Sequence, residues 1–238
     1  MTALALMALF IASLTTAALL RNRIYETGLS VWKSMVESSP DKRRPHENYG
    51  QALSTAGRLQ EALQEFKTVL SLPDDGSVPL RDVYREIGVV YFRLGLFDES
   101  ITAWKTGLVH APLDAGLLNN IAIALLKQQR YDEAVSHAET AVRANNTMPE
   151  PVNTLGEIYL AKGEFARAAE FFKRYIYLRP EDPRGSWNVA IALARGGRYE
   201  EAYQHVNRFL ASELDPRERA GATDLLNFIN ESMNKKRH

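Results

Sequence analysis

VNTLGEIYLAKGEFARAAEFFKRYIYLRP, residues 152–180, reads as two short amphipathic helices joined at Lys162-Gly163-Glu164. Leu155, Gly156 and Tyr159 share one face of the first helix. Ala168, Phe172 and Tyr175 share one face of the second, at the i, i+4, i+7 spacing of an apolar stripe. Gly156 and Ala168 are small where two helices should cross closely. Pro180 closes the unit, because proline cannot continue a helix.

The unit recurs. The small residue of the first helix returns as Gly88, Ala122, Gly156 and Ala190, each 34 residues after the last. That of the second helix returns as Ser100, Ala134, Ala168 and Ala202. The aromatic opening the second helix is Phe97, Tyr131, Phe165 and Tyr199, and the turn between the helices is marked by Gly95, Gln129, Gly163 and Gly197. Four series in one register define an all-α solenoid of stacked helix pairs.

A helix-turn-helix unit of 34 residues with this small/aromatic pattern resembles the tetratricopeptide repeat (TPR) over residues 43–216. The resemblance implies a right-handed superhelix with a concave binding groove. Periodicity alone implies only the α-solenoid, in which each repeat packs on its neighbours and no single large core is needed.

Five full repeats are expected. The first runs from Arg43 to Leu72 and is followed by the turn-rich Pro73–Pro79, read as a tolerated insertion. It sets Gly50 and Gly88 38 residues apart. Later repeats begin at Arg81, Ala115, Pro149 and Pro183. The third departs most from the pattern: Gln129 replaces the turn glycine, and Ala138 replaces the bulky Trp104 and Phe172. Asn145-Asn146 end its second helix, where asparagine would tolerate a left-handed cap. Residues 217–238 read as a capping helix and basic tail, with Ala222, Leu225, Leu226, Ile229 and Met233 on one stripe.

Thr2–Leu20 contains no charge and no proline. As a helix it would reach about 28 Å at ~1.5 Å per residue, close to the hydrocarbon thickness of a bilayer. Residues 1–22 are therefore read as a single transmembrane anchor, which suggests a bacterial inner membrane. A cleaved signal peptide is the competing reading; it lacks a basic n-region and a clean cleavage site, Thr15-x-Ala17 being the nearest. A buried soluble helix fits worst. Residues 23–42 carry Tyr25 and Trp32 in the register of a second helix, so they read as a half repeat; an ordinary juxtamembrane helix is the alternative. Arg21–Gly50 also resembles the junction in multi-spanning membrane glycosyltransferases with C-terminal TPRs, whose repeats face away from the cytoplasm. Arg21, Arg23, Lys33, Lys42, Arg43 and Arg44 point the other way by the positive-inside rule. The side of the membrane stays open.

Lys+Arg and Asp+Glu both number 29, with no basic stripe before the tail Lys235-Lys236-Arg237, which argues against nucleic acid. Cysteine is absent, so disulfides and thiolate metal sites are excluded. The histidines, His46, His110, His137, His205 and His238, form no ligand spacing and read as solvated. No phosphate-binding loop or nucleophile motif occurs. No catalytic residue, metal, cofactor or small-molecule substrate is expected.

The groove is the candidate site. In a TPR-like stack, one residue per repeat should face it: Asn48, Glu86, Asn120, Thr154 and Asn188. Arg85, Asn119, Asn153 and Trp187 precede four of them, and Glu157 lies a turn on. An Asn amide can donate to and accept from a peptide backbone, and this set resembles the asparagine ladder of some TPR grooves. Lys and Arg are too few for a carboxylate clamp. The expected function is a membrane-anchored scaffold or adaptor that holds a protein or peptide partner. The alternatives are a non-catalytic companion, or detached C-terminal part, of a membrane glycosyltransferase, and a secreted or periplasmic TPR protein released by signal cleavage.

Overall fold

A computed structural model of the chain describes residues 28–236. The apolar stretch Thr2–Leu20 and the start of the expected half repeat lie outside the described residues. Among the described residues, no helix is long and apolar enough to cross a membrane.

Every regular element described is a helix. The stretch 28–38 is helical (α1) and is followed by α2 (Arg43–Thr55), α3 (Leu59–Ser71), α4 (Leu80–Arg93) and α5 (Phe97–His110). Then come α6 (Ala115–Lys127), α7 (Tyr131–Ala144), α8 (Pro149–Ala161) and α9 (Phe165–Leu178). The chain ends with α10 (Pro183–Arg195), α11 (Tyr199–Leu210) and α12 (Pro216–Lys236). Two compact units divide between His110 and Ala111. The first holds α1–α5 and the second α6–α12.

The turn series explains why the pairs repeat. Gly57, Gly95, Gly163 and Gly197 all have positive φ, near 80°. Gln129 adopts φ 60° at the same place, the one non-glycine to do so among the described residues. At each turn a backbone amide returns to the carbonyl five residues earlier. These are Arg58 to Leu53, Leu96 to Tyr91, Arg130 to Leu125, Glu164 to Tyr159 and Arg198 to Leu193, all at 2.9–3.0 Å. This bond closes a helix C-terminus around a left-handed residue. Gln129 makes it at a steric cost of roughly 1–2 kcal/mol that glycine avoids.

Helix pairs are matched in size. A Cβ on Gly50 would lie 2.8 Å from the Phe66 ring, one on Gly156 2.5 Å from Phe172, and one on Gly88 2.1 Å from Trp104. The third and fifth repeats place Ala122 with Ala138, and Ala190 with Val206, at the equivalent positions, all four fully buried. The exception at Ala138 is therefore a compensated one: where the first helix carries a methyl, the second carries a smaller side chain, and interior packing density is kept.

Pro73–Pro79 is tied down more than a tolerated insertion requires. Arg43, 5% exposed, donates to Leu72 O and to Asp74 Oδ1 at 2.8 Å. Arg44 donates to Ser77 O, and Val78 is 2% exposed within the unit-1 core. Leu29, Trp32 and Val36 of α1 pack on the same core.

The left-handed cap expected at Asn145 does not form. Asn145 is extended, φ −145°. Its Oδ1 accepts from the backbone amide and the hydroxyl of Thr147. A side-chain turn of this kind satisfies the chain locally without positive φ. In α12, Ala222 and Ile229 are fully buried. Asp215 opens that helix by accepting from the amides of Arg217 and Glu218, and Glu218 Oε2 returns to the Asp215 amide, a reciprocal cap.

Candidate functional site

Four of the residues nominated from the sequence meet in unit 2. Asn153 and Glu157 on α8, and Trp187 and Asn188 on α10, line one cavity of about 340 Å³. Tyr175 from α9, Arg184 from α10 and Glu218 from α12 complete it. The period brings Asn153 and Trp187 into register, but hydrogen bonding joins Asn153 to Asn188 instead. Asn188 Nδ2 donates to Asn153 Oδ1 at 3.1 Å, and Asn153 Nδ2 donates to Glu157 Oε1 at 2.7 Å. The two amides thus form a relay that ends on a carboxylate.

Glu157 lines the cavity and is exposed to solvent. Desolvation pushes its pKa up, against the Asn153 hydrogen bond and the fields of Lys127 and Arg184. Trp187 is half-buried and leans on Phe209, ring centroids 5.1 Å apart.

Arg184 is already engaged. Its Nη2 lies 2.6 Å from Asp182 Oδ2, its Nε lies 3.0 Å from both carboxylate oxygens, and its amide donates to Oδ1. Tyr175 Oη donates to Asp182 Oδ2 at 2.6 Å. The Arg184 hydrogen bonds, helped by Tyr175, hold the Asp182 pKa down at about 2 from 3.8. Desolvation and then Asp182 push the Tyr175 phenol up to about 12.

The carboxylate is favoured in the folded state, so its contribution is complete above pH ~4 and disappears as pH falls toward 2. The phenol contribution holds up to pH ~10 and disappears toward 12. The Asp182 shift corresponds to about 2 kcal/mol. Because the Arg184 side chain is 74% exposed, screening reduces this to about 1 kcal/mol. Urea unfolding of Asp182→Asn between pH 2 and 6 should show an acid limb shallower by that amount. An acid limb identical to wild type would overturn the assignment.

The other nominated residues are placed differently. Thr154 and Asn119 are 3% and 5% exposed, and Asn119 Oδ1 has no hydrogen-bond partner. Asn120 is half-buried. Asn48, Arg85 and Glu86 belong to unit 1. There Arg85 pairs with Asp82 at 2.7 Å and with Glu86 at 3.5 Å. Desolvation raises the Glu86 pKa against the pull of Arg85, and Glu47 and Asp82 add to the rise.

Sequence reasoning missed two features. His46 is not solvated: it is 6% exposed, with Nδ1 2.6 Å from Glu65 Oε2 and Nε2 2.9 Å from Pro40 O, and it joins α2 to α3 and to the end of α1. His205 is half-buried too, and its pKa is pushed down by desolvation and then by Lys173 and Arg208. The Glu65 partner of His46 lies 19 residues away, beyond the reach of a local motif. Second, unit 1 holds a cavity of about 410 Å³ between α3, α4 and α5, walled by Tyr84, Ile87, Tyr91 and Leu70. The two tyrosines stand where Leu118 and Leu125 occur one period later, which was the available signal. Among the described residues, no group of three or more His, Asp or Glu is placed to hold a metal ion.

The fold and site define an α-helical repeat protein. Three tetratricopeptide-repeat models match, over residues 85–149, 125–186 and 183–208. The chain therefore carries tetratricopeptide repeats across residues 85–208. It is 24% identical over 154 residues to "BBSome complex member BBS4" from Bos taurus, covering 65% of this chain and 29% of that one. It is 23% identical over 186 residues to "Protein O-mannosyl-transferase TMTC1" from Homo sapiens, covering 76% and 20%. The chain therefore spans less than a third of these relatives' length. Among solved structures, MamA superposes with TM-score 0.62 at 20% identity, covering 73% of this chain and 98% of that one. YrrB, described as "a TPR protein with an unusual peptide-binding site", superposes with TM-score 0.60 at 19% identity, covering 81% and 97%. At these identities the likeness establishes the fold alone.

Proposed function

We propose that the chain is a non-catalytic scaffold that holds a segment of a partner protein against unit 2 and is tethered to a membrane by residues 2–20. The observation that carries the binding reading is the cavity in which Asn153, Glu157, Trp187 and Asn188 converge from two helices. Amides there can exchange their mutual bonds for those of an extended backbone. MamA and YrrB lend the reading a fold in common, and YrrB is described as having a peptide-binding site.

The tether rests on the uncharged length of Thr2–Leu20. Anchoring would raise the partner's concentration near other membrane proteins. The cationic residues that follow the stretch, Arg21 and Arg23 first, favour a cytoplasmic side, and the resemblance of the junction to membrane glycosyltransferases favours the other. The proposal thus leaves either side of the membrane available. The O-mannosyl-transferase relative shares 20% of its length with this chain, which gives no support to a catalytic role here.

The test is capture from cell membranes with the full chain, tagged after His238, against the double variant Asn153→Ala/Asn188→Ala, which removes both amides of the cavity. The expected result is one or more proteins retained by wild type and reduced about tenfold in the variant, in line with the loss of buried hydrogen bonds, with helicity unchanged. Equal retention would withdraw the amide contacts. Fractionation with protease digestion of the same tagged chain tests the anchor: a soluble chain starting near Ala17 would replace it with a cleaved signal.

A further inference from the structure

The charges of the unit-2 cavity do not balance. Glu157 projects into it with one oxygen engaged by Asn153 Nδ2, and among the described residues it forms no ion pair. The one cationic side chain in the wall, Arg184, is neutralised by Asp182 through both carboxylate oxygens. A second carboxylate, Glu218, stands in the same wall, with one oxygen accepting from the Asp215 amide.

The relay sets the direction of the site. Asn188 donates to Asn153, and Asn153 donates to Glu157, so both amides orient their donors toward the carboxylate and hold it in place. Trp187 supplies a flat apolar surface braced from behind by Phe209. A carboxylate beside an indole is the arrangement that receives a basic side chain, the charge on one and the stem or guanidinium plane on the other. A volume of about 340 Å³ is at the lower end for ligand cavities and suits one long side chain with its adjoining backbone.

We propose that this cavity is a subsite for one basic side chain, arginine or lysine, of the bound segment, with Glu157 as counter-ion and Trp187 as its platform. The proposal rests on the reading that unit 2 binds a peptide. Desolvation of Glu157, only partly offset by Asn153, Lys127 and Arg184, is consistent with it, since a bound cation would add to that compensation. Arginine fits the planar platform better than lysine. The Asn153 donation to Glu157 then positions the carboxylate, Asn188 stays available to the bound backbone, and Glu218 adds longer-range attraction.

The test uses the full chain, immobilised by a tag after His238, and a positional library of blocked nonapeptides. In each pool one position is fixed as Arg, Lys, citrulline, Leu or Glu, and the others are randomised. Wild type should retain Arg pools and, less strongly, Lys pools, with citrulline and Leu pools weaker by about tenfold, the scale of a charge-assisted contact. Glu157→Gln keeps the acceptor for Asn153 and should erase that preference while peptides are still retained. Glu157→Lys should turn it toward Glu. Glu218→Gln should reduce it only slightly. Peptides retained without a basic preference, or a preference unchanged in Glu157→Gln, would overturn the subsite and leave peptide binding standing. A wild-type chain that retains no pool would overturn the peptide reading and the subsite together.

Discussion

Phe172→Ala should destabilise unit 2 by about 3–5 kcal/mol, as buried aromatic truncations do. Phe172 is fully buried, and its ring lies against the bare backbone of Gly156. No neighbouring side chain can be drawn in from that direction, because glycine has none. The cavity therefore persists, and its cost adds to the lost transfer energy. Whole domains are stable by roughly 5–15 kcal/mol, so this one change removes a large share. Urea unfolding followed by circular dichroism should show an early transition for the variant. Phe172→Leu should recover part of the loss. A midpoint within error of wild type for Phe172→Ala would show that the pair α8–α9 is not held by this contact. Loss of peptide retention should accompany it, since α8 carries Asn153 and Glu157.

Gly88→Ala is the second large effect, and its sign runs against helix propensity. Alanine in a helix interior is favoured over glycine by about 1 kcal/mol. Here the added methyl would stand 2.1 Å from Trp104 Nε1 and 2.4 Å from Cδ1. Trp104 cannot retreat freely: it is 2% exposed, and its Nε1 donates to Arg85 O at 3.0 Å. Displacing it breaks that bond and overpacks the pair α4–α5, at about 2–3 kcal/mol net. The same substitution in a Trp104→Ala background should stabilise by about 1 kcal/mol, because the obstruction is gone and propensity alone remains. Thermal unfolding of the four proteins in this cycle measures the reversal. A destabilising Gly88→Ala in both backgrounds would place the strain elsewhere.

These two positions show what the pattern made readable. The 34-residue recurrence of Gly88, Ala122, Gly156 and Ala190 marks close helix crossings without any coordinates. The turn series located four of the five left-handed residues between paired helices, including Gln129, whose identity alone would not suggest it; Gly57 is the fifth. Both signals are local: a helix face repeats every few residues, and a turn needs a particular φ within one helix pair. The lining of the unit-2 cavity was legible in part. Asn153, Trp187 and Asn188 could be named because a period of 34 places equivalent residues side by side.

Side-chain pairing was not legible. The relay from Asn188 through Asn153 to Glu157 depends on rotamers and on a sideways offset of one residue between α8 and α10. The engagement of Arg184 by Asp182, which leaves the cavity acidic, follows from a helix cap whose side chain turns back on its own first turn. His46 looked like a solvated histidine until α3 brought Glu65 against it and the end of α1 supplied a carbonyl. Asn145 could tolerate a left-handed cap but stays extended, its side chain accepting from the amide and hydroxyl of Thr147. Backbone geometry and the apolar stripe repeat along the chain, so the residues alone were enough for the helices, their turns and the class of fold. The charge and donors of the cavity come from groups far apart in sequence whose hydrogen bonds choose among several partners, and only the packed helices decide among them.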